Sequence, residues 1–179
     1  MLGITDHRGV ASHEAQVAFL AGNPHEAIAL YEQEIAYRKD IGATRSYGFI
    51  PSDMAAIYLT LGDDTVAGSL ARRALEGMSF ESQWLGTALS LIQHLAAVAA
   101  RSAKPVIAAR LLGFTDAGYE REGGFRDPYE RASYDILIAS LREQLPADEI
   151  ERYAAEGAQL DLRQATDLAL SVVSEDYAE

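Results

Sequence analysis

Gly22–Ile35, GNPHEAIALYEQEI, and Gly62–Leu75, GDDTVAGSLARRAL, are the two stretches on which the fold turns. Each opens on Gly and carries an alanine five positions on, Ala27 and Ala67, with apolar residues following at three- and four-residue spacing. A fainter copy, AKPVIAARLLG, runs from Ala103 to Gly113, with Ala103 in the place of the glycine and Ala108 in the place of the alanine. The copies recur at intervals of 40 and 41 residues. A regular interval of this size marks a helical repeat, in which each unit is a pair of helices that buries its apolar face on its neighbour. Glycine suits the end of a helix because it takes the left-handed backbone conformation without steric cost, and alanine lets two helices approach closely.

Outward from these copies the same periodicity continues. Alanine occurs 31 times, and strict alternation of the strand type is hard to find, so the chain is expected to be all-α. Start and stop signals divide it. Asn23 with Pro24 and Glu26 reads as a capped helix start, Lys104-Pro105 opens a helix in the same manner, and Gly42 and Gly77 fall where helices should end. The predicted helices are 10–21, 24–41, 46–61, 64–76, 82–101 and 105–121, paired as three hairpins. The Gly123-Gly124 pair then breaks the chain. Asp127-Pro128-Tyr129-Glu130 begins a helix with Tyr129, Ala132, Ile136, Leu137 and Leu141 on one face. Two more follow, Pro146 to Glu156 and Leu162 to about Ser174, the last capped by Asp161 with Gln164 and burying Leu162, Ala165, Leu168, Ala169 and Val172. Residues 1–122 therefore read as the hairpins and 123–179 as a helical cap in one continuous domain, because the last hairpin would otherwise expose its apolar face.

The Gly-and-Ala pattern resembles the tetratricopeptide repeat, whose usual period is about 34 residues; the units here are longer, by roughly one turn per helix. In the second half, AARLLG (Ala108–Gly113), Pro128-Tyr129-Glu130-Arg131, Leu141-Arg142, Ala155-Glu156-Gly157 and LRQATDLAL (Leu162–Leu170) resemble the C-terminal repeat region of large bacterial signalling ATPases, LuxR-type transcriptional regulators among them. The resemblance implies a TPR-like right-handed α-α superhelix of three helical hairpins plus C-terminal capping helices, acting as a sensor or scaffold module. The phosphate-cradling G-x-x-x-x-G-K-[ST] of the ATPase part is not in this sequence.

Composition narrows the function. The 179 residues carry 15 Lys and Arg against 27 Asp and Glu, net −12, which disfavours nucleic acid and anionic membrane surfaces as partners. Cysteine is absent, removing disulfides, thiolate catalysis and Cys-ligated metals. Met1–Val10 has no basic region followed by an apolar core, so a cytoplasmic protein is expected. The most apolar run, Trp84–Ala100, is interrupted by Thr87, Ser90, Gln93 and His94 and reads as a buried helix.

Catalytic signatures are not found. His25-Glu26-x-x-Ala29 is half of a zinc motif without its second histidine, and Asp63-Asp64, Asp148-Glu149 and Glu175-Asp176 read as helix starts or solvated termini. No catalytic residue, metal or cofactor is assigned. In a tetratricopeptide array the first helix of each pair lines the concave surface, and superposing the repeats makes His13, Asp53 and His94 equivalent, with Ser12, Ser52 and Gln93 one position before and Gln16 and Arg101 further round. This stripe is the predicted groove for a protein or peptide segment, which another domain of a larger regulator would also supply. Its shortage of Lys, Arg and Asn disfavours a carboxylate clamp and suits a neutral or basic partner. The alternative is a small effector in the same groove. Self-association through an apolar face near residues 1–20 is a further expectation. Trp84 and Tyr31, Tyr37 and Tyr58 read as packing residues, and Arg121–Arg126 as a hinge, or a binding loop anchored by Phe125.

Overall fold

The computed structural model describes residues 10–42, 49–78 and 85–173. Among them every regular element is an α-helix: α1 Val10–Leu20, α2 Pro24–Asp40, α3 Ile50–Leu61, α4 Asp64–Glu76, α5 Leu85–Arg101, α6 Pro105–Arg121, α7 Pro128–Gln144, α8 Ala147–Gly157 and α9 Leu162–Leu170. None is long and apolar enough to cross a membrane. Serine 174, Trp84 and the start expected for the third helix at 46 lie outside the described residues. Within them, Pro51 sits in the first turn of α3, where a missing N–H costs nothing.

The three copies fold alike. Gly22, Gly62 and Ala103 all take positive φ, at 83°, 80° and 54°. The next amide reaches back five residues each time, Asn23 to the Ala18 carbonyl, Asp63 to Tyr58 and Lys104 to Ala99, at 2.9, 3.0 and 2.9 Å. This is the closing bond of a Schellman turn. It joins α1 to α2, α3 to α4 and α5 to α6, and each pair packs as a hairpin. Ala27, Ala67 and Ala108 are fully buried at their crossings.

The cap of Asn23 is a correction. Its side chain makes no capping bond, and neither does that of Lys104 at the equivalent place in its own Schellman turn. Asp63 does cap α4 through the Val66 amide. Full capping boxes form where the N-cap residue itself is extended, Asp127 with Glu130 and Asp161 with Gln164. Gly42 is left-handed at φ 69°, whereas Gly77 closes α4 with right-handed geometry.

Helix α5 is the axis of the molecule, packed on α3, α4, α6, α7 and α9, and buried from Ala88 to Ala100. Helices α8 and α9 seal the third hairpin. At the crossing of α6 with α8, a Cβ on Gly113 would lie 1.8 Å from the Ala154 carbonyl oxygen, and one on Gly157 would lie 1.8 Å from that of Arg110. Only a residue without a side chain lets these two backbones touch. Helix α7 departs from a terminal cap: it runs back along α5 to α3. Its buried stripe is Tyr129, Ser133, Leu137 and Leu141, rotated from the expected face so that Ser133 takes a core position and Ala132 and Ile136 are half-buried.

Apolar side chains form two clusters. The larger joins α3 to α9 around α5; the smaller, centred on Ala18, Ala27, Ile28, Tyr31, Ile50 and Ile57, holds the first hairpin against α3 and Tyr129.

Candidate functional site

The predicted stripe is covered where it crosses α3 and α5. Ser52, Gln93 and His94 are buried, because α7 lies over them. Their polar atoms, placed on the sequence as groove groups, bond this chain instead. The Gln93 amide nitrogen donates to the Glu130 carbonyl at 2.7 Å and to the Ser133 hydroxyl at 2.8 Å, while its oxygen accepts from the Arg126 guanidinium at 2.8 Å. A buried amide needs such partners, and only a helix carrying Glu130 and Ser133 in register supplies them. The Ser52 hydroxyl and His94 Nε2 are 3.1 Å apart; His94 Nδ1 has no hydrogen-bond partner. Complete burial drops the His94 pKa to about 3, so the ring is neutral.

Around the start of α7 the seal is charged. Arg126 bonds Asp116 at 2.5 Å and its guanidinium lies 4.2 Å from the Tyr119 ring centre and 4.3 Å from that of Tyr134. Burial raises the Asp116 pKa against the opposing pull of Arg126. Ser90 donates to the Glu130 carboxylate and shares a hydrogen bond with the Tyr119 hydroxyl.

Asp53, in the same stripe, faces the first hairpin. Its carboxylate accepts from the Tyr31 hydroxyl at 2.6 Å, and Tyr31 in turn lies 3.2 Å from the Tyr129 hydroxyl. The Tyr129 ring stacks 4.7 Å from Phe19 of α1. Burial pushes the Asp53 pKa up; the Tyr31 hydrogen bond lowers it, and the like charges of Asp127 and Glu130 raise it again, to about 7 in all. Burial, then the Asp53 charge, push the Tyr31 hydroxyl far above its ordinary range.

The rest of the stripe is dispersed. Ser12 and Gln16 are half-buried on α1, the Ser12 hydroxyl oxygen with no hydrogen-bond partner, and His13 is exposed. Arg101 bonds the Leu59 carbonyl at 2.8 Å and Asp64 at 2.7 Å, clamping α5 to the second hairpin rather than facing a groove. Tyr31 and Tyr58 pack between helices as expected, but Tyr37 is exposed. Phe125 is 76% exposed on its loop.

Open hollows lie elsewhere. One of about 330 Å³ sits between the start of α4, the α5–α6 turn and Val172, and one of about 530 Å³ between that turn and α7. No group of three or more His, Asp or Glu stands ready for a metal among the described residues. Comparison with protein-family models, with curated proteins and with solved structures finds no match to this chain.

What sequence reasoning missed is the occupant of the inner face. The available signal was the polar side of the α7 start, Glu130 and Ser133, set beside Gln93 in a helix otherwise too apolar to tolerate a lone amide.

Proposed function

We propose that this protein is a protein–protein interaction module, a cytoplasmic scaffold or regulatory sensor of a bacterial signalling or transcription-regulating system, with a TPR-like right-handed superhelix as its framework. Its partner docks on the first hairpin. One observation carries this reading: Val17 is 65% exposed, whereas its repeat counterparts Ile57 and Val98 are 0% and 4% exposed. The later hairpins bury that position against the hairpin before them, and α1 has no such neighbour among the described residues. Leu20 on the same helix is also exposed, and His13 and Gln16 border it. A small effector in the groove is less well supported, since the face between α3 and α5 is packed side chain to side chain against α7.

The test is affinity capture from bacterial cytoplasm with wild type, Val17→Glu/Leu20→Glu, and Glu151→Ala on exposed α8 as control. Partners recovered by wild type and control but lost from the α1 variant are the expected result. Equal recovery by all three places the docking surface elsewhere.

A further inference from the structure

Three acidic groups and two tyrosines meet where the first hairpin touches the rest of the molecule. Asp53 belongs to α3, Tyr31 to α2, and Asp127, Tyr129 and Glu130 to the start of α7. Tyr31 spans the joint, donating to Asp53 while lying within hydrogen-bonding distance of Tyr129. Among the described residues, α2 meets α3 through the smaller apolar cluster, rich in alanine, and α1 reaches α7 through the Phe19–Tyr129 contact.

We propose that this seam is a proton-operated joint: protonated Asp53 lets the first hairpin close on α3 and α7, and the ionised carboxylate, set beside Asp127 and Glu130, drives the hairpin away and frees the face of α3 that packs on it. The neighbourhood favours such a response because like charges in a half-buried site cannot all be ionised cheaply. The charged groups on the surrounding elements do not neutralise Asp53. On α2, Glu34 is paired with Arg38 at 2.5 Å. Arg126, just before α7, is engaged with Asp116 and Gln93. On α5, His94 is neutral and bonded to Ser52. On α4, Asp64 is held by Arg101 and Arg72 by Glu76. The charged residue of α1, Glu14, is exposed, as is its His13. The position of the Asp53 titration, about 7, places the switch at a pH that cells reach.

The chain has no cysteine, so two spin labels attach cleanly at Gln33→Cys on α2 and Glu143→Cys on α7, both exposed. The distance between them is read by pulsed electron resonance at pH ~5.5 and ~8.5, on either side of the titration. One narrow distance at the lower pH, and a second, longer and broader population at the higher pH, is the expected result. Asp53→Asn accepts the Tyr31 bond but never ionises, and should keep the narrow distance at both values. Tyr31→Phe removes a bond that favours the charged carboxylate, so the transition should move to higher pH. An unchanged wild-type distance overturns the proposal, as does a transition that survives in Asp53→Asn or moves downward in Tyr31→Phe. Loss of helical circular dichroism across the whole chain at the higher pH overturns it too, since the response would then not belong to the joint.

Discussion

The first hairpin and the third share a closing turn and a buried crossing alanine, yet they are held in different ways. The third has α7 along one side and α8 and α9 over the other, with the α6 and α8 backbones in direct contact at Gly113 and Gly157. The first rests on a small alanine-rich cluster and a polar seam through Tyr31, and keeps Val17 and Leu20 in solvent. Identical local geometry therefore coexists with unequal tertiary support. In a chain built of stacked units, such inequality makes a gradient of local stability, lowest where neighbours are fewest. The less supported end of such a gradient is where recognition is least costly to build, and Val17 and Leu20 are exposed at this end.

The largest expected effect tests the strong end. Gly113→Ala drives a methyl group into the Ala154 carbonyl, so α8 must withdraw from α6, at a cost of about 3 kcal/mol in urea denaturation. Gly86→Ala on the exposed start of α5, where a Cβ meets nothing, should be neutral or slightly stabilising. Equal losses for the two would mean that helix propensity rather than the crossing is being measured.

At the weak end the signature is pH. Asp53 binds its proton more tightly in the folded chain than in the unfolded one, where the value is 3.8. Its contribution is fully present below pH about 4 and disappears as pH rises through about 7, so stability should fall over this interval. Asp53→Asn should flatten that dependence in thermal melts between those limits; a curve identical to wild type would assign the slope to another group.

A smaller effect compares the repeat turns themselves. Ala103 holds at φ 54° the conformation that Gly22 and Gly62 hold freely, at a cost of about 1 kcal/mol to a residue with a side chain. Ala103→Gly should raise the midpoint of thermal unfolding by a few degrees, about the equivalent of 0.5–1 kcal/mol. A lower midpoint would mean that the unfolded-chain entropy of glycine outweighs the relief.

The smallest effect is predicted for Val17→Ser, below about 0.5 kcal/mol because the residue is already in water. Its counterpart Val98→Ser should cost about 2 kcal/mol. If chemical denaturation gave both the same value, the contrast in burial between the two hairpins would have no energetic content.

Much of the architecture could be read before any coordinates. Gly22, Gly62 and Ala103 marked the turns because left-handed closure is a property of one residue and its immediate neighbours. Ala27, Ala67 and Ala108 marked the crossings because close approach demands a small side chain wherever it recurs. The capping boxes at Asp127 and Asp161 were visible for the same reason, whereas the similar pattern at Asn23 forms no side-chain cap. On α7, Tyr129, Leu137 and Leu141 are buried as expected and Ala132 and Ile136 are half-buried, but Ser133 joins the buried stripe unforeseen, since a serine reads as solvent-facing until Gln93 is known to lie opposite it.

The candidate site divides along the same line. That Ser52, Asp53, Gln93 and His94 would share one face followed from helical periodicity and the repeat interval, and Ser52 and His94 do meet. Whether that face is open or occupied depended on α7, a helix from beyond the Gly123-Gly124 break whose polar and apolar groups happen to match it. Short-range hydrogen bonding and side-chain spacing are carried by neighbouring residues, so the helices, turns and crossings were already settled in the amino-acid order. Burial is a sum over residues distant in the chain, and it was three-dimensional packing alone that turned an expected groove into an interior and left the first hairpin as the exposed end.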